Sequence, residues 1–442
     1  MSAAERLGEY GSALQGAGLA VEVLHHAKRA VVDWYAAWIP GAVQAPATLL
    51  EKAFADDLGR GASQLALGRL ATTRTAALIN GTAAHTVEVD DIYRDAIYHP
   101  GAPTIAAALA QAQASQTSGL DFLTAVVAGY EISTRIGATL GRAHYRYWHN
   151  TGTVGTFGAA AAVASLLRLD SAAYTHALCT AATMAAGLQQ AFRMDSMSKP
   201  LHAGHAAQAG LMAAQMACEG VTGSLDVLDG EAGMGQAMSN GPDWSPALVT
   251  LGQFFNITTM TFKNHACCGH AFAAIDGALA VQRTLNIEAD QIRKVQVATY
   301  RPALDVAGNI SPRTAAEARF SLAYVVAHAL LYGSVRLAAF SDERLADPRV
   351  RSLIRRIDLS VDEDLDRAFP RQRAARVSIE TLDGRRTEHL QPTRKGDPDA
   401  PLTDDDLSDK FLELASPVVG DAAARSKLNA LWRLDAPGSR LA

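Results

Sequence analysis

Apolar residues recur at intervals of three and four over most of the first 260 positions of the chain. An early stretch shows this spacing at Val21, Leu24, Ala27, Val31 and Trp34. Such spacing predicts an amphipathic helix with one buried stripe. Glycine and proline collect at 39–41, 59–61 and 239–242, where we predict breaks between helices.

Three runs of small residues, mostly alanine and glycine, lie within this helical region at 106–114, 158–164 and 203–217. Small side chains let neighbouring helices approach closely, and alanine and glycine are often fully buried. The runs therefore predict a tight helical bundle.

The pattern changes after residue 263, where alternating segments appear between helical ones. The segments 295–300 and 376–382 have the period of two that is typical of strands, and an Asp383-Gly384 turn follows the second. Helical patterns cover 314–333 and 341–356. Together these segments predict a smaller α+β domain over roughly residues 265 to 400.

A polar loop at 394–401 leads to Thr403, which can cap a helix that runs through Phe411 and Leu414. The chain is therefore expected to end in helical structure. Its 442 residues are too many for a single core, which favours two domains.

Hydrophobic residues make up 49% of the chain and charged residues 19%, with a formal net charge of −5 and a pI near 6.2. This balance argues against nucleic acid or an anionic membrane as a partner, because both bind clustered lysine and arginine. No apolar run reaches the roughly 18 residues of a spanning helix, and no signal-peptide pattern is present at the N-terminus. The four cysteines include the adjacent Cys267 and Cys268 and fit reduced thiols, so we expect a cytoplasmic protein.

Acidic and imidazole side chains are concentrated in one stretch, which contains His85, Glu88, Asp90, Asp91 and His99. Burying so many carboxylates together is costly, which indicates a functional site. Two alternatives stay open. One is a solvated acidic helix end, and the other is a divalent metal site, because aspartate and histidine are common metal ligands.

A second group combines basic and aromatic residues just before a helix rich in glycine and alanine. Its candidates are Arg142, Tyr145, Arg146 and His149. The N–H groups at a helix start and the arginine side chains favour binding of a carboxylate. An exposed aromatic and basic loop is the alternative.

A third candidate is Lys199, which precedes Pro200 at a predicted helix start. A lysine in a cleft is a usable base or a ligand for an anion. A lysine on the surface would fit the same pattern.

The fourth group lies where the pattern of the chain changes and contains Lys263, Cys268 and His270. Ligand sites often form at domain junctions, so these residues are candidates for substrate contact. A nucleophilic cysteine paired with a histidine is the alternative, although no acyl-transfer signature accompanies it.

Several blocks of the sequence, taken together, resemble the MmgE/PrpD family. They are NGTAAHTVEVDD, HPGAP, WHNTGTVGTFGAAAA, SKPLHAGHAAQAG, LDGEAGM, FKNHACCGHA, TAAEARFSLAYVVAHALLYG and RKGDPDAPLTDDDLSDKF. Independent blocks in the right order are more specific than any single motif. The family includes 2-methylcitrate dehydratase, cis-aconitate decarboxylase and iminodisuccinate epimerase.

The resemblance implies a mainly α fold with a large all-helical domain, 1–264 and 402–442, and an inserted smaller α+β lid domain, 265–401. It also implies a homodimer that needs neither a metal nor an organic cofactor. The active site would lie between the helical domain and the lid, and the partner would be a small polycarboxylate substrate.

The residues and the resemblance together indicate which side chains form the site. We predict catalytic roles for Glu88, Asp90, His99, Tyr145, His149, Lys199 and Lys263. We predict substrate-binding roles for Asp91, Arg142, Arg146, Cys268 and His270. No residue is predicted to bind a metal.

Two positions depart from the block HxxDFDDT that is usual in family members with decarboxylase or dehydratase activity. Glu88 replaces the first aspartate of this block, and Ile92 replaces the threonine of the block. The longer carboxylate and the lost hydroxyl argue against cis-aconitate decarboxylation and weaken 2-methylcitrate as the specific substrate. We predict a 2-methylcitrate dehydratase-like hydro-lyase, with an iminodisuccinate epimerase-like isomerase or a cis-aconitate decarboxylase-like lyase as alternatives. An inactive binding relative is the remote alternative.

Overall fold

A computed structural model describes residues 1–14, 18–192, 196–369 and 371–441 of the chain. It divides into two compact units. The helical unit comprises Met1–Phe262 with Thr403–Ala442, and the mixed unit comprises Lys263–Leu402. Helices dominate and the sheets are small, so the predicted mainly α fold is confirmed.

The helical unit contains thirteen α-helices among its described residues. These are α1 (Ala3–Leu14), α2 (Val21–Ala42), α3 (Ala47–Ala53), α4 (Thr73–Thr86), α5 (Gly101–Ala114), α6 (Gly119–Tyr145), α7 (Asn150–Leu166), α8 (Ser171–Met184), α9 (Ser198–Cys218), α10 (Met234–Met238), α11 (Ser245–Val249), α19 (Asp404–Val419) and α20 (Asp421–Trp432). A short hairpin joins β1 (Leu58–Gln64) and β2 (Leu70–Ala71).

Helix α7 lies at the centre of the helical unit, buried along nearly its whole length, and it packs against α5, α6 and α9. A β-carbon on Gly210 of α9 would lie 2.3 Å from the carbonyl oxygen of Thr156 in α7. One on Gly204 would lie 2.2 Å from the carbonyl oxygen of Leu78 in α4. Only glycine allows these backbones to come so close, which confirms the close packing predicted from the small-residue runs.

The last two helices of the chain complete the helical unit. Helix α19 packs against α2, and Thr403 and Asp406 form a reciprocal cap at its start. Phe411 and Leu414 are buried, as the helical periodicity predicted. The break predicted at 39–41 comes slightly later, because α2 continues through Pro40 in its last turn and ends at Ala42.

The mixed unit combines short helices with one sheet. Its described elements are α12 (Phe272–Leu285), β3 (Ile292–Thr299), α13 (Arg301–Ala307), α14 (Ala315–Arg319), α15 (Leu322–Tyr332), α16 (Asp342–Ala346), α17 (Pro348–Ile354), β4 (Ile357–Val361), α18 (Glu363–Ala368), β5 (Ala375–Thr381) and β6 (Arg386–Gln391). The strand order is β4-β3-β5-β6, with β3 parallel to β4 and antiparallel to β5, and β5 antiparallel to β6. Helix α12 packs against β5 and β6.

The two strands predicted from alternation are β3 and β5, which pair so that Val295 lies opposite Ile379. The two long helical patterns are each split into two helices. Ser321 caps α15 and Asp347 caps α17, and each cap accepts a hydrogen bond from the backbone that follows it. A capping side chain competes with the continuing helix, which explains both breaks. Among the described residues, no helix is both long and apolar enough to span a membrane.

Candidate functional site

An ion pair between Glu88 and Lys199 joins the loop after α4 to the first turn of α9. Glu88 has a backbone φ of +61°, which few residues other than glycine adopt. Strained backbone of this kind collects at functional sites. The Glu88 and Lys199 side chains keep 21% and 16% of their surface exposed, so a small anion can reach this pair.

Asp90 lies between two imidazole rings in the same loop region. Its Oδ2 is 2.7 Å from Nδ1 of His85 and 3.2 Å from Nδ1 of His99. Burial works against the charged form of Asp90, but the two rings outweigh burial and hold the pKa of this carboxyl well below its usual range. The carboxylate therefore stays ionised, shares a hydrogen bond with His85 Nδ1 and lies within ion-pair distance of His99 Nδ1.

His149 precedes the first residue of α7 and is buried beside these groups. Its ring stacks on His85 with centroids 5.5 Å apart, and its Nδ1 is 3.1 Å from Nδ1 of His202. Burial, followed by the charges of His85 and Lys199, lowers the pKa of His149 well below its usual range. His149 is therefore neutral near pH 7, with an N–H on one ring nitrogen and on the other a lone pair that can accept a proton.

Asp91 is buried and bonded to protein groups at both oxygens. Oδ1 accepts a hydrogen bond from the Gly101 N–H at 3.0 Å, and Oδ2 accepts one from the Tyr130 hydroxyl at 2.7 Å. Burial, together with the charge of Asp33, raises the pKa of Asp91 to about 8. These contacts link the acidic loop, the segment after α4 that contains Glu88, Asp90 and Asp91, to the start of α5. They give Asp91 a positioning role, and its substrate-binding role stays a prediction.

Helix α19, from the C-terminal part of the chain, contacts the acidic loop through Lys410. Lys410 is fully buried, and its Nζ donates to Asp33 Oδ1 at 2.6 Å and to the Val89 carbonyl at 2.7 Å. Val89 lies between the ion-paired Glu88 and the Asp90 that contacts the imidazoles. The predicted site therefore depends on a residue more than three hundred positions away in the chain.

The basic and aromatic group before α7 is only partly buried. Gly141, with φ of +60°, interrupts α6, so Tyr145 lies in a short turn of helix beyond the kink. Tyr145 is half-buried, and its carbonyl accepts a hydrogen bond from Gln189 at 2.8 Å. Arg142 and Arg146 are exposed, and Arg146 lies over the ring of Tyr147. Their predicted roles stay predictions.

Lys263, Cys268 and His270 belong to the mixed unit. Lys263 is buried and Cys268 is half-buried. His270 Nδ1 shares a hydrogen bond of 2.8 Å with the Tyr300 hydroxyl, and burial, followed by the charge of Arg373, lowers the pKa of His270 to about 4. The roles predicted for these three residues stay predictions.

Four residues that are prominent in the structure received no predicted catalytic or binding role from the sequence. They are His85, His202, Lys410 and Arg394. Arg394 is buried and forms a bidentate ion pair with Asp397. A signal was present for His202, because it lies three residues after Lys199 and therefore on the same face of α9. His85 stands in the acidic block itself, five residues before Asp90.

His85, Asp90 and His99 could also hold a divalent metal, since one ligand atom from each lies within 4.8 Å of the others. The distances favour hydrogen bonds. Two ligands of a tetrahedral ion, each about 2.1 Å from the metal, lie about 3.4 Å apart, whereas Asp90 Oδ2 is 2.7 Å from His85 Nδ1. A proton between these atoms explains that separation.

Comparison with protein families gives two matches in chain order. The MmgE/PrpD N-terminal domain matches residues 5–247, and the MmgE/PrpD C-terminal domain matches residues 265–435. Together they cover most of the chain and both of its units. They include the acidic block, the start of α7 and the start of α9.

Curated relatives are similar to the chain over most of their length. A cis-aconitate decarboxylase-like protein oryM of Aspergillus oryzae is 30% identical over 96% of this chain and 92% of its own length. Cis-aconitate decarboxylase of Homo sapiens is 29% identical over 81% of this chain and 76% of its own length. Cis-aconitate decarboxylase of Aspergillus terreus is 26% identical over 94% of this chain and 89% of its own length.

Proposed function

The chain belongs to the MmgE/PrpD family, and on this premise we propose that it is a lyase acting on a small polycarboxylate. The relatives named above favour decarboxylation of cis-aconitate or a close analogue as its reaction. Dehydration of a hydroxy-polycarboxylate, predicted from the sequence, is the second candidate. The homodimer and the cytoplasmic location expected from the sequence stay predictions.

The proposal rests on how Lys199 and the histidine side chains are arranged within the helical unit. A partly exposed ammonium, Lys199, lies beside a buried group of imidazoles that an ionised aspartate contacts. Cations hold carboxylates, and neutral imidazoles move protons near pH 7. Both functions are needed by an enzyme that forms negative charge on a carbon next to a carboxylate.

In decarboxylation, Lys199 would act first and a histidine second. The C–C bond to one carboxylate breaks and carbon dioxide leaves, while the electron pair remains on the carbon skeleton as a carbanion. Lys199 would stabilise the developing charge through a retained carboxylate. A ring N–H of His99 or of His149 would then supply the proton that completes the product.

Glu88 and Ile92 argue against cis-aconitate as the substrate and also weaken 2-methylcitrate, so dehydration of another hydroxy-polycarboxylate stays a candidate. Glu88 occupies a strained conformation from which its longer side chain reaches Lys199, and Ile92 offers no hydroxyl to a substrate. In dehydration, a neutral His149 would take the proton next to a carboxylate. Protonated His99, within ion-pair distance of Asp90, would then donate a proton as the C–O bond breaks and water leaves.

The test is a product assay in deuterated water with cis-aconitate, citrate-like hydroxy acids and aspartate-derived acids. For decarboxylation we expect release of carbon dioxide from cis-aconitate and a five-carbon diacid that carries one deuterium, detected by NMR. Loss or gain of water would identify the hydro-lyase, and exchange at carbon without net product would identify an epimerase. A His149→Gln variant, assayed in parallel, controls for contaminating activity. Absence of turnover and of exchange with every acid would refute the lyase proposal.

Removal of metal ions is expected to leave turnover unchanged, because the short contact of Asp90 with His85 is that of a hydrogen bond. The measurement compares kcat before and after dialysis against EDTA, together with metal content per chain by mass spectrometry. A dialysed protein that loses activity and regains it with one particular divalent ion would show that His85, Asp90 and His99 hold a metal.

A further inference from the structure

His149 and His202 share a hydrogen bond between like atoms, with 3.1 Å between their Nδ1 nitrogens. A hydrogen bond needs one donor and one acceptor, so one of these two nitrogens carries a proton and the other does not. Burial lowers the pKa of His202 to about 4, and that of His149 lies well below its usual range. Both rings are therefore neutral near pH 7.

The shared proton couples the tautomers of the two rings. When His202 donates from Nδ1, the proton of His149 is on Nε2, and His149 can act as an acid there. When His149 donates from Nδ1, its Nε2 has a lone pair and can act as a base. The position of one proton between two Nδ1 atoms thus decides which role His149 can take.

Two glycines shape the slot that holds the His202 ring. A β-carbon on Gly187 would lie 3.3 Å from Cγ and Nδ1 of His202, and one on Gly152 would lie 3.1 Å from its Cβ. Gly187 has φ of +134°, and its carbonyl accepts the His149 N–H at 2.9 Å. Gly187 therefore helps to place both rings, and a side chain at this position would crowd the His202 ring, whereas one at Gly152 would first meet the Ala186 carbonyl.

His202 also reaches a cavity of about 770 Å³ within the helical unit. Its walls are mostly apolar, with Leu50, Phe54, Leu188 and Leu201, and His205 is a second imidazole in the lining. His202 is half-buried, whereas His149 is buried. His202 therefore lies between the buried base and the water that can enter this cavity.

We infer that His202 is a positioning residue that sets the tautomer of His149 and exchanges its proton with water in the cavity. Its effect on turnover rests on the function proposed above, but the hydrogen bond does not. In the protonating direction, water gives a proton to His202 Nε2, Nδ1 of His202 passes its proton to Nδ1 of His149, and Nε2 of His149 protonates the substrate carbon. Each ring gains one proton and loses one, and the reverse sequence removes a substrate proton.

The first experiment needs no substrate. Histidine labelled with ¹⁵N reports which ring nitrogen is protonated, and signals are assigned with His202→Ala and His149→Gln. We expect one ring of the pair to carry its proton on Nδ1 and the other on Nε2 in the unaltered protein, and the His149 signals to shift in His202→Ala. Identical tautomers in both rings, or unchanged His149 signals, would overturn the inference whether or not the substrate is known.

The second experiment measures turnover with the acid that the product assay identifies. His202→Ala is expected to lower kcat by roughly 10- to 100-fold with KM within about twofold. Free imidazole should recover several-fold of the lost kcat when assayed at about pH 8.5 or above, where both additives are mostly neutral. Neutral 1-methylimidazole has no N–H to donate while its other nitrogen accepts a proton, so it should not recover the rate. The matched control is His205→Ala, one turn further along α9, which should keep kcat within about twofold. Equal rescue by both additives, or equal losses in both variants, would contradict proton exchange through His202.

Discussion

Replacing Lys199 by alanine is expected to lower kcat/KM by roughly 10²- to 10³-fold, leaving almost no turnover. Lys199 pairs with Glu88, and its charge contributes to the lowered pKa of the neighbouring His149. Without it, no ammonium at this position holds a substrate carboxylate or stabilises the charge that develops on the adjacent carbon. Steady-state kinetics with the identified substrate measures the loss.

The fold should tolerate this change, because the side chain is partly exposed and not part of the apolar core. We expect the free energy of unfolding to change by less than about 1 kcal/mol. Lys52, exposed at the end of α3, supplies the matched control, and Lys52→Ala should retain the full rate. A Lys199→Ala variant with the rate of the unaltered protein would remove Lys199 from the mechanism.

Replacing Lys410 by methionine is expected to destabilise the helical unit by about 3–5 kcal/mol. The substitution keeps most of the side-chain volume but removes the ammonium that neutralises Asp33. Both groups are almost completely buried, with 0% and 1% of their side chains exposed, so the carboxylate would be left without its counter-ion and away from water. The Val89 carbonyl would also lose its hydrogen bond, which would loosen the acidic loop.

Unfolding in denaturant, followed by tryptophan fluorescence, measures this effect. The method reports on the helical unit alone, because all five tryptophans lie in it, at Trp34, Trp38, Trp148, Trp244 and Trp432. Lys427→Met is the control, since Lys427 is half-buried over the ring of Tyr35 and should cost less than about 1 kcal/mol. The double variant Asp33→Leu/Lys410→Met should regain much of the stability, because it removes both charges. A single variant as stable as the unaltered protein would show that the pair does not hold the loop.

Lys199 and Lys410 both contact the acidic loop, but at different residues. Lys199 contacts it through the side chain of Glu88, and Lys410 contacts it through the backbone of Val89. Loss of Lys199 should reduce activity with little effect on stability, whereas loss of Lys410 should reduce both. The contrast between the two variants separates the chemistry of the site from its support.

The local elements follow from the order of the amino acids alone. Periods of three to four and of two predicted the helices and the strands β3 and β5, and the Thr403 cap predicted the start of α19. These features depend on neighbours within a few residues, because helix and strand periodicity and capping are local. The ordered blocks also indicated the MmgE/PrpD family, which the family matches confirm.

Which ionisable groups come into contact depends on how the helices pack. His85, His149 and His202 come from three different helices or helix starts, and the glycines of closely packed helices bring their rings together. The low pKa of Asp90 likewise arises from two imidazoles in contact with a buried carboxylate. Burial and distances of a few ångströms control electrostatic and hydrogen-bond energies. Neither quantity can be read from residue spacing. The sequence therefore indicated Lys199, His149 and the stretch that contains His85, whereas the contacts of His85, His202 and Lys410 came from the structure.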